Sequence, residues 1–226
     1  MQPRRVGVYV DKFNLYYGLF RFPGARPASE KWLNIVELAE LICAQRGAAG
    51  SVSIVRYCTF EVLPSGDDPD QPIRQRQLLN ALASLPQVDI TLGLFKERTR
   101  TAKLFGPKGS IQKPSIQVSQ REEKGSDVNL ATFLVRDAAL NEVDLAMVIS
   151  NDSDLKNAFQ IARTDFGKEI WVVTPHFRNR KANVELQRVA DRYFWLDVAL
   201  LAQSQFPHEV CGPDGHIVAR CPKEWL

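Results

Sequence analysis

Carboxylates follow apolar segments of this sequence at two places. Asp11 comes directly after the run at residues 6–10, and Asp152 and Asp154 follow a second run at residues 143–149. A short apolar run that ends in polar residues is typical of a buried parallel strand. Because open α/β sheets bind ligands beyond the carboxyl ends of their strands, we expect these acids to line a site at one edge of a sheet.

A further acid, Asp127, opens a helix-compatible segment and could face the same edge. Several carboxylates held close together repel one another unless a cation lies between them. Oxygen-only ligands suit Mg²⁺ or Mn²⁺, and such ions act on phosphate esters by orienting water and neutralising developing charge. The pattern therefore predicts a divalent-metal site built from aspartates.

Each acid also has a plainer interpretation. Asp11 could close an Asx-type turn with Asn14. Asp152 could cap the helix that follows it, and Asp127 suits the first turn of a helix because it complements the helix dipole. These interpretations stay open for each residue taken singly, whereas the acids taken together favour the metal site.

Other kinds of site fit the sequence less well. The segment Gly106-Pro-Lys-Gly-Ser110 lacks the spacing of a phosphate-binding loop. There is no GxGxxG or GxSxG sequence, and the three histidines all come after residue 175, which does not support a histidine triad or an HExxH site. A zinc site in the tail would have spacings that match no common module, and its ligands would be His208, Cys211, His216 and Cys221.

A basic stretch lies between Lys96 and Arg121, with seven basic residues against one acid, Glu97. Such a stretch could contact the phosphates of a nucleic acid, and we assign that role to Arg98 and Arg100. A solvated loop is the alternative interpretation of an isolated basic run. The net charge of the chain is only +3, so indiscriminate binding of nucleic acid is not expected.

Segments with strand and helix periodicity alternate along the chain. This alternation predicts an α/β fold whose mainly parallel sheet carries helices on both faces, with residues 6–10 as the central strand. In a chain of 226 residues we expect one domain at residues 1–205, followed by a tail at residues 206–226 that packs on the domain or extends from it. The other predicted strands are residues 51–58, 87–95, 143–149, 169–173 and 193–196, and the predicted helices are residues 30–46, 73–85, 127–140, 155–163 and 198–205.

The composition is that of a globular protein, with 45% hydrophobic and 24% charged residues. No apolar run is long enough to span a bilayer, and the chain reaches Asp11 before a signal-like apolar region could form. The four cysteines are widely spaced, which favours reduced thiols over a disulfide framework. We therefore expect a cytoplasmic protein that does not bind membranes.

Three motifs of the chain resemble the NYN branch of the PIN-like nucleases, in particular the bacterial LabA-like group. They are VYVDKFNLYYGL at residues 8–19, EEKGSDVNLA at residues 122–131 and VISNDSDL at residues 148–155, in the family's order. Arg74-Gln75 is a weaker match. The resemblance implies a PIN-like three-layer α/β/α fold, a divalent metal, and hydrolysis of phosphodiester bonds in RNA.

The resemblance also implies roles for individual residues. Four aspartates would hold the metal, directly or through water, and the polar residues near them would contact the substrate or orient the acids. The implied metal ligands are Asp11, Asp127, Asp152 and Asp154. The implied contacts and orienting groups are Lys12, Asn14, Lys124, Ser150 and Asn151.

Two positions depart from the family's pattern. Lys12 stands where a glycine usually follows the first aspartate, so its ammonium either contacts phosphate or points away. Phe133 lies six residues after Asp127, where many relatives carry an acid or another polar residue. The apolar neighbours Leu130 and Leu134 favour a place for Phe133 in the core.

The sequence therefore predicts a metal-dependent endoribonuclease whose carboxylates are ligands and not a general acid and base. A catalytically weak RNA-binding or regulatory module on the same fold is the first alternative. A phosphatase or nucleotide hydrolase that uses the same acids on a small substrate is the second. A homo-oligomer is also compatible with the sequence, which does not specify the RNA target.

Overall fold

The computed structural model of the protein describes residues 3–21, 25–64, 66–105, 111–175 and 183–226. Its strands are β1 (Arg4–Asp11), β2 (Gly50–Thr59), β3 (Val88–Leu92), β4 (Leu94–Phe105), β5 (Ile111–Lys124), β6 (Leu145–Ile149), β7 (Glu169–Thr174), β8 (Arg192–Trp195), β9 (Glu209–Cys211) and β10 (Ile217–Arg220). Six of them form a central sheet in the order β3-β2-β1-β6-β7-β8, and every neighbouring pair in it is parallel. This confirms the predicted parallel sheet with residues 6–10 at its centre.

Helices cover both faces of the sheet, so the fold has three layers, α/β/α. The helices are α1 (Lys12–Phe20), α2 (Ile35–Arg46), α3 (Gln71–Ala83), α4 (Ser126–Ala139), α5 (Lys156–Thr164), α6 (Val184–Val189) and α7 (Val198–Gln203). One face packs against α1, α2, α3 and α7, and the other against α4, α5 and α6. Within the described residues, no helix combines the length and the apolar character that a membrane crossing needs.

Successive side chains of the central strand, β1, pack in two separate hydrophobic cores on opposite faces of the sheet. Val6, Val8 and Val10 pack on the side of α2, whereas Tyr9 packs on the side of α4. All four residues are buried. Because a strand alternates its side chains and both faces of this sheet are covered, the run is apolar throughout.

The strand order changes direction next to β1. The chain adds β2 and β3 on one side of it and then returns to place β6, β7 and β8 on the other. Such a switch point leaves a crevice beyond the carboxyl ends of the two middle strands, here β1 and β6. In the predicted motifs at residues 8–19 and 148–155, Asp11 ends β1 and Asp152 follows β6, so both aspartates lie at this crevice.

The basic stretch forms an antiparallel hairpin, so its interpretation as a loop is wrong. β4 and β5 pair from Leu94 with Lys124 to Phe105 with Ile111. The strand predicted at residues 87–95 is divided between β3 and β4. Threonine and other β-branched residues alternate with the basic ones, and this strand pattern was obscured by the charge. The segment compared with a phosphate-binding loop, residues 106–110, lies outside the described residues.

Three shorter elements were not predicted: α1, α6 and the hairpin of β9 and β10. Helix α1 is rich in aromatic residues, which favour strands, but Asp11 caps it by accepting the backbone N–H of Asn14. In the tail, Phe206, Val210 and Ala219 are buried in the same core as α2. The domain boundary at residue 205 stays a prediction.

Candidate metal centre and active site

Three aspartates come together at the switch point. Asp11 is the last residue of β1, Asp152 follows β6, and Asp127 lies in the first turn of α4. One carboxylate oxygen of each lies within 4.8 Å of the others. Ligand oxygens around an octahedral Mg²⁺ are separated by about 3 to 4 Å, so small side-chain rotations would let one cation contact all three. Among the described residues the tail histidines and cysteines form no comparable group.

Hydrogen bonds hold both carboxylate oxygens of Asp11. Oδ1 accepts the backbone N–H of Asn14 at 3.0 Å, and Oδ2 accepts the Asn14 amide at 2.9 Å and the Ser150 hydroxyl at 2.9 Å. Asp11 is only 4% exposed. Burial raises its pKa, the hydrogen bonds oppose that rise, and the negative charge of Asp152 adds to it. A cation beside Asp11 would offset both the burial and the repulsion.

Ser150 and Asn14 connect the two strand ends. The Ser150 hydroxyl, which donates to Asp11, also accepts the backbone N–H of Asp152 at 3.1 Å. The side-chain oxygen of Asn14 accepts the backbone N–H of Asn151 at 3.2 Å. Ser150 is completely buried. These contacts fix the positions of Asp11 and Asp152 relative to each other without a cation.

Two supporting residues were missed by the sequence analysis. Tyr193 on β8 donates its hydroxyl to the side-chain oxygen of Asn151 at 2.8 Å. Asn183, which caps α6, donates its side-chain amide to the Asn151 carbonyl at 3.3 Å and its backbone N–H to the Tyr193 hydroxyl at 3.1 Å. Neither residue belongs to a recognised motif, so only the folded chain shows that they support the acidic turn.

Asp154 lies apart from the three converging aspartates. It is exposed in a 3₁₀ turn at Ser153–Leu155, and its backbone N–H donates to Asp152 at 3.0 Å. The structure thus brings together Asp11, Asp127 and Asp152 but not Asp154. The cap interpretation of Asp152 is also correct, because it accepts a backbone N–H of the helical turn that follows it. Asp11, for which the sequence suggested an Asx-type turn, also caps the helix that follows it, α1.

A tight turn links the basic hairpin to the aspartates. Gly125 joins β5 to α4 with a φ of 101°, a conformation that side chains other than hydrogen disfavour. Lys124, the last residue of β5, is exposed on one side of this turn, and Asp127 lies on the other. The base of the hairpin is therefore next to the acidic site.

The described basic side chains of the hairpin lie on two faces. Arg98, Arg100 and Lys103 are exposed. Side chains alternate along a strand, so Arg98 and Arg100 share one face and Lys103 lies on the other. The side chains of Lys96, Lys113 and Arg121 lie outside the described part of the structure.

Lys12 packs against aromatic rings of α1, and its contact with phosphate stays a prediction. Its ammonium lies 4.8 Å from the ring centroid of Phe13 and 4.7 Å from that of Tyr16, at the wall of a cavity between α1 and α3. Burial lowers the pKa of Lys12 to about 8, and the nearby charge of Lys31 contributes. Lys12 takes no part in the hydrogen bonds described above for Asp11.

Phe133 packs against the core on the side of α4 and α5, as the sequence analysis favoured. The Arg56 guanidinium lies 5.1 Å from the centroid of its ring. Arg56 donates two hydrogen bonds of 2.9 Å to Asp137, whose side chain is completely buried. Phe133 therefore covers a buried ion pair.

The chain is similar to two known proteins and to one protein family. An alignment that covers 93% of this chain and 73% of the other protein gives 28% identity to 6-hydroxy-3-succinoylpyridine 3-monooxygenase HspA of Pseudomonas putida. A solved protein of unknown function, VPA0982 from Vibrio parahaemolyticus, aligns over 87% of this chain and 97% of its own with 16% identity and a TM-score of 0.49. The NYN domain matches residues 5–197, a range that includes all three converging aspartates. The chain therefore belongs to the NYN-domain family.

Proposed function

We propose that the protein is a metal-dependent endoribonuclease whose active site is the group of Asp11, Asp127 and Asp152. The observation that carries this proposal is the convergence of three carboxylate oxygens within 4.8 Å at the switch point of the sheet. An all-carboxylate ligand set suits Mg²⁺ or Mn²⁺. Membership of a nuclease-like family supports the same reaction class.

The three aspartates would hold the cation, which would orient water and neutralise charge that develops on the phosphodiester. Asn14 and Ser150 keep the Asp11 carboxylate in place. Ser150 is buried, so we assign it a positioning role and not a contact with substrate. Asp154 is exposed beside the group, where it could reach the cation through water.

RNA is the proposed substrate, and the hairpin of β4 and β5 is its proposed binding surface. Arg98 and Arg100 would contact phosphates along one face, and Lys124 would contact a phosphate near the acids. The proposal includes a cytoplasmic location, which the four free cysteines support because disulfides are rare in reducing compartments. Membership of the LabA-like group and homo-oligomer formation stay predictions.

A second candidate function is action on a small aromatic acid. The relative HspA is named as a monooxygenase of 6-hydroxy-3-succinoylpyridine, a ring that carries an acidic side chain. The cavity beside α1 combines aromatic walls with Lys12 and Lys31, which favours a ligand of that kind. A catalytically weak RNA-binding module and a phosphatase or nucleotide hydrolase acting on a small substrate are the remaining alternatives for the aspartate site.

A cleavage assay separates these possibilities. Purified protein is incubated with single-stranded and structured RNA in Mn²⁺, Mg²⁺ or EDTA, and the fragments are resolved on a gel. We expect cleavage with metal and none with EDTA. Asp152→Asn should remove cleavage, whereas the matched charge change Asp165→Asn, at an exposed residue after α5, should leave the rate unchanged.

The outcomes have distinct meanings. Wild-type cleavage in the Asp152→Asn variant would exclude the aspartate group as the active site. RNA binding by the wild-type protein without cleavage in any metal would support the weak RNA-binding module. If the protein neither binds nor cleaves RNA, action on a small aromatic acid becomes the better candidate function.

A further inference from the structure

A cavity lies on the opposite side of α1 from the hydrogen bonds of Asp11. It has a volume of about 80 Å³, and α1, α2, α3 and Trp225 in the tail contribute to its wall. Its apolar lining includes Tyr16, Phe20 and Leu78. The chemistry proposed for the aspartates does not use this cavity.

Two ammonium groups converge on one aromatic ring in this cavity. The Lys12 Nζ lies 4.7 Å and the Lys31 Nζ 5.5 Å from the ring centroid of Tyr16. The Lys31 Nζ also lies 5.6 Å from the centroid of Phe20. Two like charges on one ring repel each other, and an anion placed between them would stabilise both.

The carboxylate in the cavity wall forms an ion pair with another cation, and its charge also acts on Lys31. Asp68 forms an ion pair with Arg74, which lies 3.8 Å from Glu224 as well. Within the described part of the chain, no carboxylate lies at ion-pair distance from Lys12 or Lys31. The lining residues carry three cations, Lys12, Lys31 and Arg74, and one anion, Asp68, which leaves a net charge of +2.

The size of the cavity limits what can enter it. A volume of about 80 Å³ exceeds the roughly 10–15 Å³ that one water molecule needs, but it is only about half that of an apolar cavity of about 150 Å³ that holds a benzene ring. One phosphate or carboxylate group, or the edge of a ring, fits inside, and the remainder of the ligand would lie in the mouth. Aromatic walls favour the ring, and the two ammonium groups favour the anion.

We propose that this cavity binds a small organic anion in which a carboxylate or phosphate is attached to a planar ring. The anion lies between Lys12 and Lys31, and the ring packs against Tyr16 and Phe20. A nucleotide and a free aromatic carboxylic acid share this chemistry. The proposal does not rest on RNA cleavage, because the cavity is separate from the aspartates and needs no metal.

Titration calorimetry in EDTA tests the proposal independently of cleavage. The ligands are uridine 5′-monophosphate, adenosine 5′-monophosphate and pyridine-3-carboxylate. Inorganic phosphate and pyridine-3-carboxamide are controls that carry only the anion or only the ring. We expect at least one complete ligand to bind with a dissociation constant below about 1 mM and each control to bind more weakly. Tighter binding of the nucleotides would identify a nucleotide ligand, and tighter binding of the carboxylate would identify a free aromatic acid.

Variants then locate the binding. Lys31→Gln should weaken the complex about tenfold, because it removes one charge-assisted contact. Lys156→Gln is the matched control, since Lys156 is an exposed lysine paired with Glu185 at 3.0 Å on the other face of the sheet. Leu78→Trp should abolish binding by filling the cavity, and thermal melts would show that all three variants remain folded.

Three results would overturn the proposal. The first is the absence of binding by all three complete ligands at concentrations 10-fold above the expected dissociation constant of about 1 mM. The others are equal affinity in the Lys31→Gln and Lys156→Gln variants, and full affinity in a folded Leu78→Trp variant. Loss of RNA cleavage in Asp152→Asn would leave binding in the cavity unchanged. The proposed nuclease activity and the proposed cavity ligand can therefore fail separately.

Discussion

Asn14 donates its side-chain amide to Asp11 at 2.9 Å and thereby connects the end of β1 to the turn that carries Asp152. Its side-chain oxygen accepts the backbone N–H of Asn151 at 3.2 Å. One amide thus contacts both strand ends at the switch point. Because Asn14 also lies in the first turn of α1, the helix and the acidic site depend on the same residue.

Asn14→Ala should weaken Mn²⁺ binding. The substitution removes the amide contact to Asp11 and the acceptor for Asn151, and loss of such an orienting partner costs about 10- to 100-fold in metal affinity. Calorimetric titration of Mn²⁺ measures the effect. Asn157→Ala, on the exposed face of α5, is the matched control. Equal Mn²⁺ affinities in the two variants would show that Asn14 does not position the acids.

The two faces of the basic hairpin should differ in their contribution to RNA binding. Arg98→Ala and Arg100→Ala together should lower the salt dependence of the binding constant by roughly one unit or less per lost phosphate contact. Lys103→Ala changes a basic residue on the other face of the same strand and should have a smaller effect. Fluorescence anisotropy with labelled RNA at several salt concentrations gives the slopes. An unchanged slope in the Arg98 and Arg100 variant would contradict the assignment of this face to RNA.

The acids could be predicted from the sequence because they lie in three short motifs at the ends of recognisable elements. The residues that support the acidic turn could not be predicted, because Tyr193 and Asn183 come from distant parts of the chain and reach Asn151 only after β8 and α6 have packed. The hairpin was missed because its charge suggested a solvated loop. The direction of Lys12 depends on rings in α1, a helix that the sequence analysis did not predict.

The ion pair of Asp144 and Arg5 should make stability depend on pH in the acid range. Hydrogen bonds from the Arg5 guanidinium and backbone hold the pKa of Asp144 at about 2. A carboxylate whose pKa is lowered on folding contributes stability above its ordinary pKa of about 3.9, and this contribution is lost as the pH falls toward 2. Asp144→Asn should therefore lower the melting temperature at pH 7, and the difference from wild type should shrink as the pH falls below 4 toward 2. The pair is partly exposed, so salt should reduce the difference at pH 7.

Melting temperatures at pH 7, 4 and 2.5 measure this dependence. Asp165→Asn is the control for a carboxylate at an exposed helix end. A difference between wild type and Asp144→Asn that stays constant across the three pH values would contradict the role of the ion pair.

The ring of Phe133 lies over the Arg56 guanidinium, which already donates hydrogen bonds to aspartates. Arg56 donates to Asp89 at 2.6 Å in addition to its two bonds to Asp137. A carboxylate introduced at position 133 would lie beside these acids and would lose the contacts of the ring with the core.

Phe133→Asp should destabilise the protein by roughly 2–4 kcal/mol and should not tighten Mn²⁺ binding. The cost combines the loss of apolar contacts with repulsion from Asp137, whereas Phe133→Leu keeps an apolar side chain and should cost less. Thermal melts measure the stability of both variants, and calorimetry measures their Mn²⁺ affinity. Tighter Mn²⁺ binding by a Phe133→Asp variant with an unchanged melting temperature would show that the side chain at this position faces the aspartates. The phenylalanine would then be the residue that weakens the metal site of this protein.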